Sequence, residues 1–240
     1  MTRGRAEGAA LLDQGPAATS ATGPVTARQR FREIPPPQQI LSREREASLT
    51  SRQRELLDHL VEVFEGGFAD LTMVNLASRL QCSLRTLYAI AATRDELMLI
   101  GVERFLWRIG RSARNVITDD MTALEALRAY LQSVTITLEA ASEAFSRDLA
   151  LVPSVNVLIT RQNDYVFSVT RALLDLAVEN GEIPPLDTAA LGRVLAGLGW
   201  FFTRPHVQPT LASSAKEAAD SVVDVIIRGL GSVEGRNGAR

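Results

Sequence analysis

Four side chains between residues 83 and 88 have the types and spacing needed to hold a nucleic acid. Ser83, Arg85, Thr86 and Tyr88 carry hydrogen-bond donors and fall on one short predicted helix. Such donors suit phosphate oxygens and base edges, and a helix N-terminus adds backbone N–H groups and partial positive charge that favour phosphate. The pattern therefore favours binding of DNA over a catalytic reaction.

Three short predicted helices position these donors. Thr50 and Gln53 fit a capping box at the start of the first helix, and Gly66 ends it. Thr72 can cap the second helix, and Ser83 caps the third after a turn of only about three residues. Two helices separated by so short a turn have the geometry of a helix-turn-helix, which presents its second helix to the major groove.

The rest of the chain also predicts helices. A second capping box, Thr93 with Glu96, opens a long helix through about residue 111, and further helices are predicted near 121–141, 144–150, 154–180, 187–203 and 214–230. No segment alternates convincingly as a strand would. We therefore predict an all-α fold, with an amino-terminal three-helix DNA-binding unit (the helix-turn-helix) and a larger helical ligand-binding and dimerisation domain.

Composition narrows the class of protein. Of 240 residues, 46% are hydrophobic and 22% are charged, which is ordinary for a folded protein. A single cysteine excludes an internal disulfide and a cysteine-rich zinc site, and two histidines leave little for a metal centre, so we expect no cofactor. The apolar runs are too short for a bilayer, and we find no nucleotide-binding, metalloprotease or hydrolase motif. These observations predict a cytoplasmic protein, not an enzyme.

Four regions are predicted along the chain: a disordered, arginine-containing tail (1–48), the DNA-binding domain (49–93), an effector-binding and dimerisation domain (94–231) and a flexible tail (232–240). Residues 1–112 carry 15 arginines and 13 acidic residues, and residues 113–240 carry 11 basic and 15 acidic residues. The first tail has two interpretations. Its arginines could form an arm that reaches a minor groove, or they could be solvated, which its composition favours. The arginines concerned are Arg28, Arg30, Arg32, Arg43 and Arg45.

The order and spacing of four segments resemble the DNA-binding domain of TetR-family transcriptional regulators. These segments are FEGGF at 64–68, LTMVNLASRL at 71–80, SLRTLY at 83–88 and RDEL at 94–97. The resemblance implies a three-helix DNA-binding unit that continues into a helical domain, which binds a small effector and dimerises. It also implies seven DNA-contacting residues: Thr72, Ser83, Leu84, Arg85, Thr86, Tyr88 and Arg94.

The implied roles differ within this set. Thr72 and Tyr88 would contact phosphates, Ser83 would begin the recognition helix, and the three residues after it would face base edges. Arg94 stands where the family usually has a lysine, and either cation could contact a phosphate.

Two departures from the family pattern bear on operator sequence and affinity. Gln81 occupies a turn position that is commonly glycine, and a left-handed conformation there would cost about 1 kcal/mol relative to glycine. Ala89 and Ile90 follow Tyr88 where a second aromatic residue is common. Cys82 is interpreted as a small apolar replacement in the turn, with a redox role disfavoured.

A mostly apolar effector pocket with a few polar groups is expected on three helices of the second domain. Its candidate residues are Phe105, Trp107, Tyr130, Phe145, Asn156, Thr160, Asn163 and Phe167. Aromatic residues at helical spacing are usually core, so we expect fewer than half to line a cavity. The sequence does not identify the effector.

The helices near 187–203 and 214–230 are the predicted homodimer surface. Each carries an apolar stripe, formed by Ala189, Val194, Leu198 and Phe202 on one, and by Ala215, Ala218, Val222, Val225 and Ile226 on the other. The predicted function is a ligand-responsive repressor that binds a near-palindromic double-stranded operator as a dimer, has no membrane partner, and is released by a small molecule. An activator, or a helical dimeric interaction protein of the same fold that has lost specific DNA binding, remains an alternative.

Overall fold

The computed structural model describes residues 25–139, 143–204 and 206–231. Within these ranges the regular structure is helical and includes no strand, which confirms the predicted all-α class. The α-helices are α1 (Ala27–Glu33), α2 (Arg43–Ser48), α3 (Ser51–Glu65), α4 (Met73–Arg79), α5 (Leu84–Ile90), α6 (Arg94–Asn115), α7 (Ala123–Glu139), α8 (Glu143–Leu151), α9 (Asn156–Glu179), α10 (Thr188–Phe202) and α11 (Ala215–Gly231).

The predicted caps set the helix boundaries near the amino terminus. Thr50 and Gln53 form a reciprocal capping box at the start of α3. At α6 only half of the predicted box forms: the Thr93 hydroxyl accepts from the backbone N–H of Glu96 at 3.1 Å. The Glu96 carboxylate turns instead to the backbone N–H of Ala92, at 2.7 Å.

Helix α6 joins the three-helix unit (α3, α4 and α5) to the body (α7 to α11). It packs on α3 at one end and on α7 and α9 further along. Gly101 makes the crossing with α3 possible, because a Cβ built there would lie 2.4 Å from the Phe64 ring and 3.0 Å from Leu60. The unit and the body therefore share one continuous hydrophobic core.

Residues 25–48 differ from the predicted unstructured tail, since they form α1 and α2 and lie against the body. Phe31 is buried, with its ring centroid 5.7 Å from that of Tyr130, and Leu41 and Leu49 are buried as well. These apolar anchors stand on two very short helices and a proline-containing connection, so they produce no helical periodicity in the sequence. The predictions for residues 1–24 and 232–240 lie outside the described residues.

Three arginines of this segment differ from both interpretations offered by the sequence. Arg28 pairs with Asp119 at 3.0 Å, Arg30 with Glu179 at 2.7 Å, and Arg45 with Glu96 at 2.7 Å. These three arginines bind carboxylates of the protein itself and are not extended toward DNA. Arg32 and Arg43 are exposed and form no ion pair within the described residues, as the solvated interpretation expects. We name residues 34–48 the strap, because they run from α1 across α6 to the three-helix unit.

None of the described helices combines the length and the apolar character that crossing a membrane requires.

Candidate nucleic-acid interface

The turn between α4 and α5 is a Schellman motif with glutamine at its left-handed position. The Gln81 φ angle is 50°, in the left-handed region. The backbone N–H of Cys82 donates to the Ala77 carbonyl at 3.0 Å, and that of Gln81 donates to Ser78 at 3.2 Å. These bonds satisfy the last carbonyls of α4 and fix the direction in which α5 leaves the turn.

Helix α5 buries one face and exposes the other. Leu87 and Ile90 are buried beneath it, while Leu84, Arg85 and Tyr88 are exposed. Tyr88 is 53% exposed. Three of the residues that the sequence assigned to base edges and phosphates, Leu84, Arg85 and Tyr88, thus lie on one open face of α5, while Thr86 is half-buried.

The N-terminus of α5 is held by two hydroxyl groups. The Ser83 hydroxyl accepts from the backbone N–H of Thr86 at 3.1 Å, and the two side-chain oxygens lie 2.8 Å apart. The cap orients both hydroxyls at the amino-terminal end of the helix, where backbone N–H groups also point outward.

Helix α4 presents its own polar N-terminus beside this surface. The Thr72 hydroxyl accepts from the backbone N–H of Asn75 at 3.2 Å, and the Asn75 side chain accepts from that of Thr72 at 3.1 Å. Val74 on the same helix is 62% exposed. Three exposed apolar or aromatic side chains, Val74, Leu84 and Tyr88, therefore lie on the helix-turn-helix, which is typical of a surface that meets a partner.

Arg94 lies at the edge of this surface, but its guanidinium is engaged internally. Nε donates to the Leu71 carbonyl at 2.5 Å, Nη2 donates to the Ala69 carbonyl, and Nη1 pairs with Asp95 at 3.2 Å. These bonds give Arg94 a role in positioning the loop before α4. The phosphate contact implied by the resemblance stays a prediction, and it would compete with them.

The same loop is held from the body by Asp148 of α8, a contact that sequence reasoning missed. Its buried carboxylate accepts from the backbone N–H groups of Phe68, at 2.5 Å, and Ala69, at 2.8 Å. Aromatic rings continue the connection: the centroids of Phe68 and Phe145 are 5.4 Å apart, and those of Phe145 and Phe105 are 4.5 Å apart. The helix-turn-helix is thereby attached to α8 and α6 through one loop.

The other end of α5 is attached to the strap. Arg45 donates to the Ile90 carbonyl at 3.0 Å and to the Glu96 carboxylate at 2.7 Å. The hydrogen bond from Arg45 is the main reason that the Glu96 pKa is lowered. Sequence reasoning missed this link because it treated the segment as unstructured.

Cys82 behaves as a structural residue of the turn. Burial raises the pKa of its thiol, while the nearby Arg52 opposes that shift. A raised pKa disfavours the reactive thiolate, in agreement with the interpretation from the sequence.

The eight predicted effector residues do not gather around one cavity. Phe105, Tyr130 and Phe145 are buried in the core, Asn156 and Thr160 are exposed, and Phe167 lies under Arg193, 3.6 Å from the ring centroid. The Asn163 Oδ1 atom is buried with no partner in the described part of the chain. Trp107 alone among the eight lines the cleft between α6 and α9, which the strap covers.

The predicted dimer helices carry exposed apolar side chains. Val194 is 55% exposed and Phe201 is 47% exposed on α10, and Val225 is 63% exposed on α11. Ala215, which the sequence placed in the stripe of α11, is buried. Of the remaining stripe residues, Val194 and Val225 are exposed and the others are half-buried, Leu198 and Ile226 being packed against the core. The exposed part of this face has no cover among the described residues.

Several solved structures of TetR-family or other transcriptional regulators have the same fold. A TetR transcription regulator from Haloarcula marismortui is 17% identical, covers 76% of this chain and 99% of its own, and superposes with a TM-score of 0.64. For the TetR-family regulator PfmR from Thermus thermophilus these values are 23%, 73%, 98% and 0.55. For a putative transcriptional regulator from Pseudomonas aeruginosa they are 14%, 78%, 94% and 0.61.

No family model matches the chain, and none of the curated proteins matches it. The solved structures nevertheless confirm, at the level of the fold, the resemblance inferred from four short segments: the chain has the architecture of the TetR-family regulators.

Proposed function

We propose that this protein is a dimeric, ligand-responsive transcriptional repressor of the TetR type, which acts in the cytoplasm and binds a near-palindromic operator. The observation that carries the proposal is the open face of α5, where Leu84, Arg85 and Tyr88 are exposed beside a capped helix N-terminus. The likeness in fold to known regulators supports it independently.

The two exposed helices divide the work on DNA. The N-termini of α4 and α5, with the hydroxyls of Thr72 and Ser83, are suited to backbone phosphates, which set the position of the protein on the duplex. Arg85 and Thr86 are suited to base edges, since a guanidinium can donate two bonds to guanine. In this proposal Tyr88 donates to a phosphate from the middle of α5.

A two-fold dimer would supply the second half of the interface. The uncovered apolar face on α10 and α11 supports a homodimer in which four helices pack together. Such a dimer would place two copies of α5 about 34–36 Å apart, one helical turn of DNA, and the operator would then be a near-palindrome.

Release by an effector is proposed as a shift between two conformations. A ligand that favours a tilted α6 would move the three-helix unit, because α6 packs on α3 and Asp148 of α8 holds the loop before α4. The two recognition helices would then lie outside groove spacing. The ligand acts only through its different affinities for the two conformations.

The test is binding to the DNA that flanks the coding region, searched first for an inverted repeat. We expect Arg85→Ala to weaken binding by about 1–3 kcal/mol and to relax sequence preference, and Tyr88→Phe to weaken binding to all sequences. Arg171→Ala, on α9 and away from the interface, is the control. Affinity should fall steeply as salt rises, because phosphate contacts release counterions.

Two outcomes would count against the proposal. If both interface variants bind as the parent does, the site is wrong. If no salt-dependent DNA binding is found, the alternative of a dimeric interaction protein is favoured.

A further inference from the structure

We propose that the cleft between α6 and α9, beneath the strap, binds an organic anion with an apolar body. Calling this ligand the effector rests on the proposed function, whereas its binding does not. With the strap in place, the free space inside the cleft is only about 40 Å³, enough for a few water molecules. An organic ligand would therefore bind with its apolar body in the space that opens when the strap is displaced.

The apolar part of the lining comes from three elements. Leu106 and Trp107 belong to α6, Leu158 belongs to α9, and Pro36 and Pro37 of the strap form the cover. Leu106 and Leu158 are buried, so the inner wall is hydrophobic. A ligand with a hydrocarbon chain or ring would bury apolar surface here.

The polar part of the lining is strongly basic. Arg111 and Arg114 of α6 and Arg161 of α9 line the cleft, and within the described ranges none of the three forms an ion pair. Arg104, two turns before Arg111 on α6, behaves differently, since it binds Glu46 at 2.6 Å and Asp58 at 3.3 Å. Three unpaired guanidinium groups from two facing helices are suited to a carboxylate or phosphate.

The one acidic residue of the lining is already engaged. The buried Glu103 carboxylate accepts from the backbone N–H of Ile40 at 2.7 Å and so holds the strap in place. It does not neutralise the arginines at contact distance, although Arg161 acts on its pKa from further away. A cationic ligand would meet a positive lining, and a neutral one would leave the guanidinium groups unpaired.

Tyr165 adds an observation that is independent of the charges. Tyr165 is a lining residue of the cleft, its hydroxyl is fully buried, and no described residue bonds to that hydroxyl. A buried hydroxyl without a partner is unusual in a folded protein and lowers its stability. An oxygen of a bound anion would give it an acceptor.

The position of the cleft explains how occupancy could reach the DNA-binding surface. The strap covers the cleft at Pro36 and Pro37 and is held by Glu103 at Ile40. Further along the strap, Arg45 binds the last carbonyl of α5. A ligand that displaces the cover would therefore move a segment attached to the recognition helix.

The test uses matched anionic and neutral probes on the full chain. Decanoate and 2-naphthoate are titrated by calorimetry, with 1-decanol and 2-naphthalenemethanol as neutral counterparts. We expect at least one acid to bind at least about tenfold more tightly than its alcohol, because charge-assisted bonds to guanidinium are lost in the alcohol. Fluorescence of Trp107, isolated in a Trp200→Phe background, should change with the same affinity.

Variants locate the anion. Arg114→Gln and Arg161→Gln should each weaken binding of the acid about tenfold and leave binding of the alcohol unchanged. Arg171→Gln on α9 is the control, since its side chain pairs with Asp175 outside the cleft. Thermal melts show whether each variant folds. Tyr165→Phe, which keeps the ring, should weaken binding of the acid without loss of stability.

The inference is overturned if both acids bind no better than their alcohols, or if Arg171→Gln weakens binding as much as Arg161→Gln does. DNA binding measured on the same preparations separates the two proposals. Absence of DNA binding without any probe counts against the proposed function alone, while intact DNA binding with no acid bound overturns the cleft inference alone.

Discussion

At the scale of single residues, Gln81 and Gly181 hold the same place in two copies of one turn. Each follows a helix with a positive φ angle, 50° for Gln81 and 72° for Gly181. At Gly181 the same pair of bonds recurs, from Glu182 to Ala177 at 2.8 Å and from Gly181 to Val178 at 3.1 Å. The chain therefore uses glycine at the end of α9 and tolerates a side chain in the helix-turn-helix.

Replacing Gln81→Gly should raise the free energy of unfolding by about 0.5–1 kcal/mol, because glycine adopts the left-handed conformation without a Cβ clash. Urea unfolding at neutral pH measures the change. Gly181→Ala is the matched control and should lower stability by about 1 kcal/mol, since no described atom lies within 4 Å of the added Cβ and only the backbone is strained. If both variants changed the free energy of unfolding in the same direction, this account of the turn would be contradicted.

Glu103 makes stability depend on pH in a predictable direction. Burial raises the pKa of its carboxyl above the ordinary 4.5, although the backbone N–H groups of Ile40 and Leu41 oppose the shift. The folded protein therefore binds this proton more readily than the unfolded chain, and the residue's contribution to stability falls as pH rises through its folded pKa. Glu103→Gln keeps an acceptor for Ile40 and removes the titration.

The parent should thus lose stability relative to Glu103→Gln as pH rises above the ordinary carboxyl pKa of 4.5. Urea unfolding of both proteins on either side of this pKa gives the difference directly. Parallel pH profiles would show that the Glu103 pKa is the same in the folded and the unfolded state.

Residue roles that depend on neighbours in sequence were predictable, and those that depend on distant neighbours were not. Thr72 and Ser83 cap their helices as expected, because a cap needs only the next three residues. Asp148 reaches Phe68 across 80 positions, and Arg94 reaches Ala69 across 25. Nothing local distinguishes these two side chains from ordinary surface charges.

At the scale of helices, two glycines of α6 face different surroundings. Gly101 lies against α3, where an added Cβ would sit 2.4 Å from the Phe64 ring, whereas a Cβ at Gly110 would meet no described atom within 4 Å. We expect Gly101→Ala to lower the free energy of unfolding by about 1–3 kcal/mol, since Phe64 must leave its packed position.

Gly110→Ala should instead raise it by up to about 1 kcal/mol, because alanine favours the helix and nothing clashes. Thermal or urea unfolding of both variants provides the comparison. A stabilising Gly101→Ala would mean that α6 and α3 can move apart without loss, and the role of this crossing in transmitting a tilt would then be doubtful.

Helix positions were predictable where a helix is long or begins at a capping residue. The helices from α3 onward lie where periodicity and caps placed them, because each has a long apolar face or a local start signal. The first two helices have 7 and 6 residues, and so short a helix depends on tertiary contacts such as those of Phe31. The ion pairs of Arg28, Arg30 and Arg45 also join residues that are far apart in sequence, so the composition of the segment did not predict them.

At the scale of the whole molecule, the fold was predictable while the cleft between α6 and α9 was not. Composition and spacing indicated an all-α fold, and the solved structures of similar fold confirm that architecture. The cleft is formed by side chains of α6, α9 and the strap, which are far apart in sequence. Aromatic residues were a poor guide, because Tyr130, Phe105 and Phe145 fill the core instead.

The assembly offers the last prediction. Val225 on α11 is 63% exposed on the apolar face proposed for the dimer, whereas Leu151 is 65% exposed on α8, which packs on α3. A glutamate at the centre of a dimer interface must be desolvated without a partner, but at an isolated exposed site it stays in water. Light scattering after size-exclusion chromatography should therefore show a dimer for the parent and Leu151→Glu, and a monomer for Val225→Glu.

The monomer should also bind a full operator far more weakly, because one recognition helix loses the contribution of the second half-site. A dimeric Val225→Glu protein would place the interface on another face and would remove the basis for the proposed spacing of the recognition helices.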